Sequence, residues 1–204
     1  MTARKQENVK VIHPVSLLVY EGETEEIFHP IVREKYLRRL RYDHSCIKGQ
    51  GRTNLQIINA AITFCLNNPS EYLRVYSCID TERGKQGIVP FDINYVRSQI
   101  ADMEKTRIVN NLGIKKVRQI KRQILSITAI QADPDIESWF FYDIEGIYKF
   151  LRAPKSKRNI KKYTTPSQFG KKDLKRLFRQ FDNQYREGQR ARNFIESLNM
   201  DKIV

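Results

Sequence analysis

The sequence predicts an α/β fold with a largely parallel sheet and a small, basic, helical C-terminal extension. Short apolar runs typical of buried strands alternate with segments in which apolar residues recur at helical spacing. At 204 residues and 40% hydrophobic composition, the chain is long enough to bury a core of its own. We therefore expect an α/β domain over residues 10–150, with a basic loop and closing helices over residues 151–204 packed on it.

Four segments are predicted to be strands, because each is a short run rich in apolar residues that ends at a turn signal. The first run has no polar alternation, as in a strand covered on both faces, and it stops at Glu21 and Gly22. The third and fourth stop at Asp80 and at Asp133. In chain order the predicted strands cover residues 15–20, 42–48, 72–79 and 124–132.

The segments between the strands are predicted to be helices from the spacing of their apolar residues. The first contains Pro30, which interrupts the helix or delays its start. The predicted helices cover residues 23–40, 55–66, 92–106 and 136–141, followed by a closing pair at 171–181 and 188–198. Residues 152–168 combine cations with two prolines and are predicted to be a mobile linker or loop.

Composition and motifs exclude several classes of protein. No stretch approaches the roughly 20 apolar residues of a membrane span, and the charged N-terminus lacks the apolar core of a secretory signal. Cys46, Cys65 and Cys78 show neither disulfide-like nor zinc-site spacing. The glycine-rich loops of P-loop ATPases and dinucleotide-binding folds are absent from the sequence. We therefore expect a cytoplasmic protein without a membrane partner.

Positive charge is concentrated toward the C-terminus. The chain carries a net charge of +14, and residues 149–192 hold 15 lysines and arginines against three acids. Aromatic residues lie among these cations, and nucleic acids are bound by neutralising phosphates and stacking bases. A solvated surface that keeps the protein soluble is the alternative interpretation. The residues that we expect to contact nucleic acid are Arg52, Lys161, Lys162, Lys171, Lys172, Lys175 and Arg186.

Acidic residues follow three of the four predicted strands. Glu21 ends the first strand, with Glu25 one helical turn further on, Asp80 and Glu82 end the third, and Glu137 follows the fourth. Ligands of open α/β sheets bind beyond the carboxyl ends of the strands, so we expect these acids to meet in one cleft. Clustered carboxylates favour a divalent cation, and all-oxygen ligands suit Mg²⁺ or Mn²⁺. Taken singly, each acid is better explained by a helix cap or a surface charge.

Several of these motifs resemble those of TOPRIM-domain proteins, namely the short bacterial RloB-like proteins and the nuclease half of the OLD-type ATPase–nucleases. Residues 20–25 are similar to the E-G-x-T-E signature. Residues 80–82 are similar to the family's D-x-D, with a glutamate as the second acid. Residues 132–140 resemble a segment whose glutamate, here Glu137, is expected near the metal. Residues 185–188 resemble Tyr-x-Lys-Gly, with the lysine absent.

The resemblance implies a Rossmann-like TOPRIM fold and a metal-dependent nuclease that hydrolyses DNA or RNA. It implies that Glu21, Asp80 and Glu82 bind Mg²⁺ or Mn²⁺, and that Glu25 and Glu137 complete or position the site. Relatives of this kind often belong to phage-defence modules. The resemblance therefore also implies a toxic effector that is controlled by an ATPase encoded nearby.

Other functions remain compatible with these residues. The D-x-E variant favours a catalytically inactive nucleic-acid-binding or assembly subunit on the same fold. A nucleotidyl transferase or primase-like activity would use the same acids. The closing helices also carry an apolar stripe, expected to cover the sheet or else to contact a second copy or an ATPase subunit. The stripe consists of Phe178, Phe181, Phe194, Ile195 and Leu198.

Overall fold

A four-stranded, all-parallel sheet lies at the centre of the protein. The computed structural model describes residues 13–47, 52–81 and 91–204. The strand order is β2-β1-β3-β4, and each predicted strand is present to within one residue. The strands are β1 (Val15–Glu21), β2 (Tyr42–Ile47), β3 (Leu73–Asp80) and β4 (Ile124–Ala132). The predicted α/β fold with a parallel sheet is confirmed.

Helices connect the strands and form the C-terminal third. The α-helices are α1 (Glu23–Tyr36), α2 (Thr53–Asn67), α3 (Ile93–Ala101), α4 (Arg107–Leu112), α5 (Ile114–Gln123), α6 (Glu137–Phe140), α7 (Ile144–Phe150), α8 (Lys171–Arg179), α9 (Arg192–Ser197) and α10 (Met200–Ile203). Short 3-10 turns lie at Met103–Lys105, Phe141–Asp143, Lys155–Lys157, Ile160–Tyr163, Pro166–Gln168 and Gly188–Ala191. Pro30 lies inside α1 and does not interrupt it. None of the helices in the described ranges has the length and apolarity needed to cross a membrane.

One hydrophobic core lies between the sheet and helices α2, α3 and α5. Alternate strand residues point to the same face of a sheet, and Leu17, Val19 and Val75 fill this core from β1 and β3. Val117 and Ile120 of α5 pack against them and are fully buried. This core fixes the sheet whose strand ends carry the acids.

A second core joins α1 to the C-terminal third. Phe28 of α1 packs on Phe140 of α6, and Phe140 in turn contacts Phe194 of α9. Among the described buried residues of this core, Ala132 is the one that belongs to a strand. The expectation that the apolar stripe covers the sheet is therefore wrong. The stripe packs on a helical layer of α1, α6 and α7 because few strand side chains reach this core. Residues on both sides of the predicted domain boundary share the core, and the division itself stays a prediction.

Residues 152–168 form a loop that is anchored to the second core. Ala153 and Tyr163 are buried, and the ring of Tyr163 packs against Phe169 with centroids 4.8 Å apart. The backbone N–H of Asn159 donates to the hydroxyl of Tyr148 at 3.0 Å. The segment is therefore a loop, one of the two predicted alternatives, and these contacts argue against a mobile linker.

Candidate functional site

The carboxyl ends of β1 and β3 open into a cavity of about 550 Å³, here called the acidic cavity. The two strands are parallel and paired up to Tyr20 and Cys78, so their ends lie side by side. The residues that line the cavity are Glu21, Gly22, Glu23, Thr24, Glu25, Glu26, Cys46, Ile47, Asp80, Lys171 and Glu187. The structure thus brings three of the predicted site acids into one cavity: Glu21, Glu25 and Asp80.

Glu21 is held at the last position of β1 by the start of α2. The hydroxyl of Thr53, the first residue of α2, donates to Glu21 Oε2 at 3.0 Å. Arg52, predicted to contact nucleic acid, directly precedes Thr53 and is exposed. The N-terminus of α2 therefore borders the acidic cavity, a contact for which no role was predicted from sequence.

Gly22 makes the turn from β1 into α1. Its φ of +115° favours glycine, and a Cβ at this position would lie 2.6 Å from Glu25 Oε2. Any side chain would thus displace the carboxylate that the turn brings close. The acids that follow lie in the first turn of α1, where the helix dipole favours negative charge.

Glu25 and Asp80 are close enough to interact electrostatically. Glu25 is only 4% exposed, and burial, followed by the negative charge of Asp80, raises its pKa. Burial, followed by the charges of Glu137 and Asp135, raises the pKa of Asp80, and the positive charge of Lys171 partly offsets this rise. These closely spaced carboxylates therefore repel one another when ionised, and a divalent cation would relieve that repulsion.

Glu137 lies behind the acidic cavity and does not line it. It is fully buried, the hydroxyl of Tyr185 donates to its Oε1 at 2.9 Å, and the hydroxyl of Thr24 donates to the same atom at 3.3 Å. Burial is also the main cause that raises the pKa of Glu137. Glu137 is close enough to raise the pKa of Asp80, so it belongs to the same edge of the sheet. The expectation that Glu137 lines one cleft with the other acids is therefore wrong, because its hydroxyl partners hold it in the layer behind the cavity.

Lys171 is the cation of the acidic cavity. Its backbone N–H donates to both carboxylate oxygens of Asp135 at 3.0 and 3.1 Å, which anchors α8 to the loop after β4. Its Nζ lies 3.1 Å from Glu187 Oε2. Burial alone would lower the pKa of Lys171, but the carboxylates of Glu137, Glu187 and Asp80 outweigh it and raise the pKa. Lys171 therefore stays charged among the acids.

The other cations predicted to contact nucleic acid either border a cavity or face solvent. Lys175 and Arg186 border a neighbouring cavity. Lys172 is exposed on α8, and Lys161 and Lys162 are exposed in the separate turn Ile160–Tyr163. The basic C-terminal third is thus not one uniform surface, since some of its cations are built into cavities and others face solvent.

The donor set of the acidic cavity suits a hard divalent cation. In the described chain, Glu25 Oε1 and Glu137 Oε2 are buried without a hydrogen-bond partner. Mg²⁺ is commonly held by one or two protein carboxylates and several waters, so Glu21 and Asp80 would suffice as protein ligands. Across residues 13–47, 52–81 and 91–204, no three His, Cys, Asp or Glu side chains are grouped as a metal site. Glu82, the third predicted ligand, lies outside these ranges.

The fold and the acidic cavity define an α/β protein with clustered carboxylates at the carboxyl edge of a parallel sheet, consistent with a Rossmann-like TOPRIM fold. No protein-family model and no curated protein matches the chain. Similar solved structures include the C-terminal region of the OLD protein of Xanthomonas campestris pv. campestris, phased with mercury and with iodine. Each is 13% identical and covers 92% of this chain and 87% of its own, with TM-scores of 0.44 and 0.46.

Proposed function

We propose that this chain is a metal-dependent nuclease that hydrolyses phosphodiester bonds of DNA or RNA. The observation that carries the proposal is the pair of Glu25 and Asp80 in the acidic cavity, with Glu137 buried behind it, in a chain with a net charge of +14. Proteins seldom bury carboxylates unless these are paired or bind a metal. The surrounding cations suit a polyanionic substrate.

In this proposal Glu21 and Asp80 hold Mg²⁺ or Mn²⁺, together with Glu82. The metal, when bound, supplies activation of water and neutralisation of phosphoryl oxygens. Glu25 lies beside Asp80 in the acidic cavity, and Glu137 fixes the start of α1 through Thr24. Lys171, which remains charged beside the acids, is placed to stabilise negative charge on the phosphate under attack.

A cleavage assay tests the proposal. Single- and double-stranded DNA and RNA are incubated with the protein in Mg²⁺, in Mn²⁺ and in EDTA. Glu21→Gln and Asp80→Asn should each lower the cleavage rate by at least about 100-fold, which corresponds to roughly 3 kcal/mol in the activation barrier. Glu34→Gln, an exposed acid on α1, is the matched control and should cleave like the wild type.

The biological setting proposed here rests on the sequence resemblance alone. We propose that the chain is a toxic effector of a phage-defence module, controlled by an ATPase partner encoded beside it, and that it works as an assembly that includes a homodimer. The same cleavage assay, run with and without that ATPase, should give different rates. Absence of cleavage under both conditions and with every metal would refute the nuclease.

A catalytically inactive subunit is the second candidate. It is favoured by the D-x-E variant and by the lack of a ready-made group of three metal ligands in the described ranges. Such a subunit would bind nucleic acid with the usual dependence on salt and would show neither cleavage nor metal binding. The two candidates therefore differ in the outcome of the cleavage assay.

A further inference from the structure

A row of cations runs along one face of α8 and starts in the acidic cavity. Lys171, Lys175 and Arg179 recur every four residues, a spacing that places side chains on one face of a helix. Glu187 pairs with the first two, since its carboxylate lies 3.1 Å from Lys171 Nζ and 2.8 Å from Lys175 Nζ. The guanidinium of Arg179 makes no hydrogen bond or ion pair with any residue of the described chain. The row therefore ends in an uncompensated positive charge.

The far end of this row borders a second cavity of about 270 Å³, here called the cationic cavity. Its lining residues are Lys175, Arg179, Gln184, Tyr185, Arg186 and Glu187. The guanidinium of Arg186 is steadied by donating to Gln184 Oε1 at 2.9 and 3.1 Å. Glu187 is the one acid among these lining residues, all of which are described, and it is already paired with two lysines. Arg179 and Arg186 thus leave the cavity with positive charge that an anion would neutralise.

The cationic and acidic cavities are connected through shared and hydrogen-bonded residues. Glu187 lines both. Tyr185 lines the cationic cavity and donates its hydroxyl to Glu137, the acid behind the acidic cavity. Along α8, Arg179 lies eight positions beyond Lys171, which corresponds to about 12 Å at 1.5 Å per residue. A ligand that bridges the two cavities is therefore an extended chain of anionic groups rather than a single small ion.

We propose that the cationic cavity is a phosphate subsite that holds a backbone phosphate of the substrate strand beside the one cleaved in the acidic cavity. Arg179 and Arg186 form its binding groups, because guanidinium groups bind phosphate oxygens through paired hydrogen bonds. This proposal depends on the proposed function, which identifies the bound strand as DNA or RNA. It assigns a role to Arg179, and it gives Lys175 and Glu187 the role of connecting the two sites.

Binding measured without catalysis tests the subsite. The affinity for a fluorescent single-stranded oligodeoxynucleotide, and for its RNA counterpart, is followed by anisotropy in EDTA over a range of salt concentrations. The double variant Arg179→Gln/Arg186→Gln should bind at least about tenfold more weakly. Its log–log salt slope should fall by roughly 0.7 for each phosphate that the variant no longer binds.

The control removes the same charge elsewhere. Arg176→Gln/Arg192→Gln changes two exposed arginines that are paired with Asp173 and Glu196 and line neither cavity. This control should keep the affinity and slope of the wild type to within about twofold. A double variant that behaves like the control would overturn the subsite, and so would a wild type that does not bind.

Replacing single phosphates of the oligonucleotide with neutral methylphosphonates locates the bound phosphate. One linkage should weaken binding to the wild type and have no effect on the double variant. If the wild type binds in this way but never cleaves, the proposed function fails and the subsite stands. If the wild type cleaves and the double variant binds and cleaves like the control, the subsite alone fails.

Discussion

At the scale of single residues, the candidate site is defined by acids whose pKa is raised because they are shielded from solvent. Glu21 and Asp80 could be predicted because each ends an apolar strand, and a parallel sheet brings such ends to one edge. The layer position of Glu137 could not be predicted. It depends on a hydroxyl from Tyr185, which lies 48 residues further along the chain, and on the orientation of a four-residue helix.

His29 provides a residue-scale prediction about pH. Burial lowers the pKa of His29 to about 4, whereas an unfolded histidine has a pKa near 6.5. Between these values the unfolded chain binds the proton and the folded protein does not. Stability is therefore fully retained above about pH 6.5 and falls as the pH is lowered toward 4, by roughly 3 kcal/mol in total.

Urea unfolding at several pH values measures this effect. His29→Phe, which keeps a ring for stacking on Tyr20, should lack this part of the loss between pH 6.5 and 4. His44→Gln, which removes an exposed histidine, is the matched control. Identical profiles for the wild type and His29→Phe would contradict the assignment.

At the scale of elements, α8 determines how the basic C-terminal third contributes to the site. The sequence predicts the helix and expects its lysines to contact nucleic acid, whereas the fold places Lys171 in the acidic cavity and leaves Lys172 in solvent. Helix α5 was missed because its many cations concealed the helical spacing of Ile114, Val117 and Ile120. In both elements the charge pattern was evident, and only the tertiary packing decided which face each cation occupies.

The anchor of α8 gives an element-scale prediction. The backbone N–H of Lys171, at the start of the helix, donates to both carboxylate oxygens of Asp135. Asp135→Ala removes this acceptor and should lower the free energy of unfolding by about 1–2 kcal/mol. Asp135→Asn keeps one acceptor oxygen and should cost less. Chemical unfolding of the two variants checks the order, and equal costs would contradict the anchoring role.

At the scale of the whole molecule, two cores bring the walls of the acidic cavity together. The first core fixes β1 and β3, whose ends carry Glu21 and Asp80. The second joins α1 to α8 and α9, so that Lys171 and Glu187 reach the same cavity from the C-terminal third. The parallel sheet was predictable from its apolar runs. The second core was not, since it joins α1 to helices more than 100 residues further along the chain, and its aromatic packing is not encoded by any local pattern.

A calorimetric titration with Mn²⁺ measures whether the acidic cavity binds a divalent cation, as the proposed nuclease requires. The wild type should give a saturable isotherm, and the matched control Glu34→Gln should give the same one. Asp80→Asn should lose it while retaining the circular dichroism spectrum of the wild type. A wild type without an isotherm, or an Asp80→Asn variant that binds Mn²⁺ as tightly as the wild type, would contradict the proposed metal binding.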